Sequence, residues 1–330
     1  MTRLQSRCST QRGPMAALSA SSILLGLLLF ALASTSVTAA VIVNDSWADG
    51  GRDNGADSVD SNWWTSSSSS GIEVSVGSLG MVTGTSGRGI HTVFPTQTLA
   101  NVGDKLVATY TFTTPATIGA NATGAFRVGL FDTLGRAGLN ADISASSGTP
   151  NDVYGWGTGA SPAGPGSAGL PGYMMDMDIG TGAEDLSFRQ HDAGTVIPTG
   201  RLMGTTTGFT QLSPTGPDGA YTLAANTTYT GSLAITRTTA TEMQLTGALG
   251  SATHSVTDVF DSADFGMLAF WANSNIFGSS ATPGAANNGI DFSNVTIEFT
   301  PIPEPSTGVL ALALAVAHLG VRRLRRGQIS

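Results

Sequence analysis

Apolar and polar side chains alternate strictly from Lys105 to Phe112. Leu106, Ala108, Tyr110 and Phe112 fall on one face, Lys105, Val107, Thr109 and Thr111 on the other, the period of a half-buried strand. The same alternation predicts a strand through Phe126, Val128 and Leu130 against Arg127 and Gly129, closed by a turn at Asp132-Thr133-Leu134-Gly135. Tyr229, Leu233 and Ile235 alternate with Thr230, Ser232, Ala234 and Thr236, and after Thr238-Thr239-Ala240-Thr241 come Met243 and Leu245, so these two runs read as a hairpin. From Phe265 to Trp271 both faces are apolar apart from Gly266, the pattern of a central strand covered on both sides. In the last strand Ile290 and Phe292 are out of phase with Val295, Ile297 and Phe299, and a bulge near Ser293-Asn294 reconciles them.

Val41-Ile42-Val43 and weaker runs at 72–76, 81–83, 90–94, 173–179, 186–190 and 255–260 bring the count to about a dozen strands. Asn62-Trp63-Trp64 precedes a serine run, Ser66 to Ser70, that has the composition of an exposed loop. No helix, internal repeat or composition break is expected within this region. Many short strands with abundant Gly and Thr predict an all-β, two-sheet antiparallel sandwich. The late pair Tyr229–Arg237 and Glu242–Leu249, with the closing run Ile290-Asp291-Phe292-Ser293-Asn294-Val295-Thr296-Ile297, loosely resembles the jelly rolls of the concanavalin A-like and laminin-G-like families. That resemblance implies a fold rather than an activity.

The two ends follow other rules. Arg3, Arg7 and Arg12 lead into the apolar run Ile23–Leu32, and small residues crowd Ser34–Ala40, the layout of a secretory signal peptide cleaved after Ala39 or Ala40. Cys8, the chain's one cysteine, lies ahead of the apolar run and leaves with the leader. At the other end Pro303-Glu304-Pro305 and Ser306-Thr307 precede an uncharged run, Gly308–Val321, with His318 near its far end, and then Arg322, Arg323, Arg325 and Arg326. The run makes a helix of ~21 Å, short for a ~30 Å hydrocarbon core. The arginines act as a membrane stop that stays cytoplasmic, and the prolines keep their segment extended.

Together Pro303, Glu304, Pro305, the helix and the arginine cluster resemble the PEP-CTERM sorting signal. The resemblance implies recognition and processing by exosortase, transient membrane insertion, and delivery to the cell surface or beyond. The expected organisation is a signal peptide over 1–40, a β-sandwich over 41–300 and a sorting signal over 301–330.

Composition narrows the partners. Residues 41–303 hold 22 acidic against eight basic side chains and no cysteine. That balance disfavours nucleic acid and anionic membranes, and without cysteine neither disulfides nor thiolate metal sites are available. Only 12% of the chain is charged, against ~25% in ordinary globular proteins, so Ser, Thr, Asn and Gly must make up much of the surface.

Motifs for chemistry are few. Gly164-Pro165-Gly166-Ser167-Ala168-Gly169 matches the dinucleotide fingerprint in letters, but it contains a proline and lies in a Gly/Pro-rich stretch without a flanking strand or helix. There is no Gly-x-Ser-x-Gly elbow, and His91, His191 and His254 have no metalloprotease spacing. Asp176 and Asp178, in Tyr173-Met174-Met175-Asp176-Met177-Asp178-Ile179, fall on one strand face about 6 to 7 Å apart along the backbone. Three readings stay open for them: a solvated strand face, a ligand or calcium site completed by loop carbonyls, or a glycosidase pair. Laminarinase-type jelly rolls use a Glu-x-Asp-x-(x)-Glu strand, and both glutamates are missing here. Tyr154 and Trp156, at the base of the Gly/Pro-rich stretch 155–172, are candidate sugar-stacking rings. The expectation is an exported, non-enzymatic structural or carbohydrate-binding protein without a cofactor unless calcium binds, with a polysaccharide hydrolase or lyase as the alternative.

Overall fold

The computed structural model describes residues 38–53, 59–65, 72–83, 87–118, 125–135, 142, 170–179, 186–191, 202–204, 206, 208–216, 223–274, 276–277 and 289–303. Within the compact unit Thr38–Ile302 the described residues form fifteen strands and no helix. In chain order they are β1 (Ala40–Asp45), β2 (Trp63–Thr65), β3 (Ile72–Ser75), β4 (Ser78–Val82), β5 (Arg88–Thr98), β6 (Lys105–Thr113), β7 (Ala125–Phe131), β8 (Gly172–Asp178), β9 (Leu186–His191), β10 (Phe209–Gln211), β11 (Thr228–Arg237), β12 (Glu242–Leu249), β13 (Ala252–Val259), β14 (Asp264–Ala272) and β15 (Gly289–Thr300).

Every pairing is antiparallel. The first sheet runs β13-β12-β11-β6-β15-β4-β3, and the second runs β10-β9-β8-β7-β14-β5-β2. One flank of the long β15 is shared: its start, Gly289–Phe292, pairs with β4, and its later residues, Val295–Phe299, pair with β1. The expected bulge is present, as a register shift between Phe292 and Asn294 against β6.

The two sheets meet over a core to which each contributes its apolar phase. Leu106, Ala108, Tyr110 and Phe112 from β6 face Phe126, Val128 and Leu130 from β7 and Phe270 from β14. Aromatic rings join the layers: Phe270 lies 4.6 Å from Phe292 and 5.2 Å edge-on from Tyr110, and Phe112 lies 5.3 Å from Phe126. Each such pair adds about 0.5–1.5 kcal/mol beyond the area it buries.

β7 departs from its sequence pattern. It reads as half-buried, yet all seven residues are buried. The cause is a second apolar cluster on the outer face of the second sheet, where Leu202, Met203 and Phe209 cover Phe131, Met174, Met267, Ala269 and Trp271. A strand with apolar layers on both sides loses its solvated face, and Arg127 is buried with it.

Candidate functional site

β8 carries Asp176 on the covered outer face of the second sheet, between β7 and β9. Arg127 stands directly opposite Asp176 on β7, and Ser187 opposite it on β9. Arg189, two residues beyond Ser187, reaches Asp176 on the diagonal. The two carboxylate oxygens are divided between these cations: Arg127 Nε donates to Oδ1 at 2.7 Å and Arg189 Nε to Oδ2 at 3.0 Å. Arg127 Nη1 also donates to the Met203 carbonyl at 2.6 Å, which ties the covering segment to the sheet. Only 8% of the Asp176 side chain is exposed.

This geometry overturns the solvated-face reading of Asp176. A carboxylate bracketed by two guanidiniums neutralises buried charge and orients the arginines. Each Asp176 oxygen therefore accepts a hydrogen bond from a guanidinium. Asp178 ends the same strand on the same face and is half-buried. Sequence reasoning does not place Arg127 or Arg189 at the site, although a single cation within the apolar run of β7, AFRVGLF, is a signal for a buried partner. Tyr154, Trp156, Glu304, Pro305, Arg322, Arg323, Arg325 and Arg326 lie outside the described residues; Pro303 is exposed in irregular backbone.

A second polar centre lies at the start of the sandwich. Asp45, at the end of β1, is 1% exposed; its Oδ1 accepts the Trp47 backbone N–H at 3.0 Å and its Oδ2 the Trp63 Nε1–H at 2.6 Å. Trp63 belongs to β2, so this one carboxyl links the two sheets, and Trp47 packs on Trp63 with ring centroids 5.7 Å apart. Burial pushes the Asp45 carboxyl up from 3.8 to about 7, against the two hydrogen bonds that lower it, with nearby Asp60 adding to the rise. Asn44, Asp45, Asp49 and Asp60 line a small depression there. Another lies over Gly80, between Glu73 and Asp291, where burial and the facing Glu73 raise the Asp291 carboxyl. Among the described residues no group of three or more His, Cys, Asp or Glu side chains is arranged to hold a metal ion.

No protein family and no curated protein matches the sequence. Among solved structures the chain is similar to the endo-1,3-beta-glucanase of Streptomyces sioyaensis, with 14% identity over 82% of this chain and 99% of that one and a TM-score of 0.43. It is also similar to the Lotus tetragonolobus seed lectin, with 8% identity over 76% and 96% and a TM-score of 0.40. The metal-free carbohydrate recognition domain of Emp46p gives 11% identity over 71% and 87% and a TM-score of 0.41.

Proposed function

We propose that the chain is an exported cell-envelope or extracellular-matrix protein, sorted by exosortase through its C-terminal tail, whose sandwich binds polysaccharide or builds structure without cutting it. The observation that carries the non-enzymatic half is the pairing of Asp176 with Arg127 and Arg189 at 2.7 and 3.0 Å. A general acid or nucleophile has to present an oxygen to the reacting bond, and both Asp176 oxygens are held by cations. The missing strand glutamates point the same way. The sorting half rests on the leader, on Pro303-Glu304-Pro305 and on Arg322–Arg326.

The test is turnover. The secreted chain is incubated with neutral β-glucans, α-glucans and polyuronates, with and without calcium, and new reducing ends and unsaturated ends are counted. No release is expected from any of them. Release that disappears in Asp176→Asn would restore the hydrolase or lyase reading and overturn this one.

A further inference from the structure

The outer face of the first sheet has a composition that neither the core nor the site on the second sheet uses. Across β6 and β11 the register sets Thr109 opposite Ser232, Thr111 opposite Thr230 and Thr113 opposite Thr228. β15 continues these rows with Thr296 beside Thr109 and Asn294 beside Thr111. Successive rows alternate with the core residues Ala108, Tyr110 and Phe112, so the hydroxyls stand on the solvent side. They are bonded to one another across the strands: Thr111 to Thr230 at 3.1 Å, Thr113 to Thr228 at 2.9 Å and, on β12 and β13, Thr246 to Ser255 at 2.8 Å.

Threonine suits any exposed strand, and that alone would account for its presence. Propensity does not account for hydroxyls bonded to one another in two successive rows across the central strands β6 and β11. Lys105 and Glu298 lie toward one end of the rows, and at the other end Asp291 of β15 stands beside Thr113 in the last row. On β6 and β11 the result is a neutral hydroxyl patch, Thr109, Thr111 and Thr113 facing Ser232, Thr230 and Thr228, with hydroxyls ~4.8 Å apart between strands and ~6.7 Å apart along each strand; Val107 and Ala234 form the next row. Because each paired hydroxyl donates at most one hydrogen bond and keeps lone pairs free, the lattice can still accept from and donate to a partner.

We infer that this face is the glycan-contacting surface of the protein, and that its ligand is a neutral, hydroxyl-rich polysaccharide lying across β15, β6 and β11. The inference rests on the polysaccharide-binding reading above and assigns it a place. Charge selects the occupant. Residues 41–303 carry fourteen more acids than bases, which repels polyuronates, sulfated glycans and nucleic acid. The six hydroxyl positions on β6 and β11 include no carboxylate for a cationic partner, Asp291 and Glu298 being on β15 beside them, and the one apolar row next to them, Val107 with Ala234, is too small for a hydrophobic partner. A second copy of the chain would gain little from apposing two hydrated hydroxyl faces, because no apolar area is buried.

The test is adsorption of the secreted chain to insoluble curdlan, a neutral β-glucan, and to amylose resin, with a pectate gel as the anionic control. Thr111→Val, Thr113→Val, Thr228→Val and Thr230→Val are combined in one variant; valine keeps the β-branch and removes the hydroxyl. Thr230→Lys alone is a second variant, exposed and compatible with the fold, and thermal melts check both. Expected are retention of the wild type on a neutral glycan but not on pectate, at least tenfold weaker adsorption by the combined variant, a clear loss by Thr230→Lys, and wild-type adsorption by Arg189→Lys on the other sheet. If both first-sheet variants adsorb like the wild type, or if only Arg189→Lys weakens adsorption, the face is wrongly assigned while polysaccharide binding stands. If the wild type adsorbs to neither glycan, this inference and the binding reading fall together. If sedimentation shows a dimer that the valine substitutions dissociate, the face is a self-association surface and the glycan assignment is overturned.

Discussion

Asp45 and Asp176 are both buried carboxyls, and the chain treats them in opposite ways. Asp176 is balanced by two arginines, whereas Asp45, among the described residues, accepts from the neutral N–H groups of Trp47 and Trp63 and lies against another acid, Asp60. Its carboxyl is therefore raised to about 7 from 3.8, and the folded protein keeps a proton that the unfolded chain releases. Stability from this group is full below about pH 4, falls as pH rises toward about 7 and is level above that, a loss on the order of 4 kcal/mol. Asp45→Asn mimics the protonated form, so denaturant titrations at pH 4.5 and 7.5 should show a much smaller pH loss for the variant than for the wild type; parallel losses would refute this account of Asp45. For Asp176 the expectation is different. Asp176→Asn leaves Arg127 buried without its counter-charge and should cost about 3 kcal/mol or more, while an apolar replacement of all three residues recovers much of that. Urea midpoints of the two variants check it, and a shift under half a kcal/mol for Asp176→Asn would mean that the ion pairs are incidental. Neither role is legible locally. Asp45 depends on a tryptophan eighteen residues away, and Asp176 on arginines from two other strands.

The elements were largely written in the alternation. β6, the β11–β12 hairpin, the doubly buried β14 and the bulge in β15 all lie where period two and its one phase break place them. β2 and β10 have no periodic signature, because three residues cannot show a period: Trp63-Trp64 only precedes a serine-rich loop in the sequence, and Phe209 has polar residues on either side. β7 was placed correctly but given a solvated face, since nothing near Arg127 in sequence announces the cover provided by Leu202 and Met203. Cross-strand packing within the first sheet leaves a testable mark on β11, where Gly231 lies directly opposite Tyr110 of β6. A Cβ on Gly231 would lie 2.5 Å from Tyr110 Cζ, so Gly231→Ala must displace a buried ring that packs on Phe270 and should cost about 1–3 kcal/mol. Gly77, in the β3–β4 turn, has φ +81 but open space around it; Gly77→Asn should cost less than Gly231→Ala, because asparagine tolerates that region. Equal thermal shifts for the two would contradict the packing argument.

At the scale of the whole molecule, the sandwich class was readable from strand number and turn composition. The burial of one outer face and the hydroxyl lattice on the other were not, because both depend on register between strands distant in sequence. Thr109, Thr111 and Thr113 are unremarkable until β11 sets Ser232, Thr230 and Thr228 opposite them. The ends make a separate prediction: mass spectrometry of the mature envelope protein should show a start after Ala39 or Ala40 and no peptide containing Arg322–Arg326, and a retained arginine cluster would make the tail a lasting anchor. The claim that joins sorting, neutral surface and sequestered Asp176 is that this protein holds a polysaccharide without cutting it. Affinity electrophoresis of the secreted chain through gels containing a soluble neutral glucan, with reducing ends counted in the same gels afterwards, measures both halves at once. The account predicts retarded migration with no new ends; migration unaffected by glucan, or retardation accompanied by new reducing ends, would contradict it.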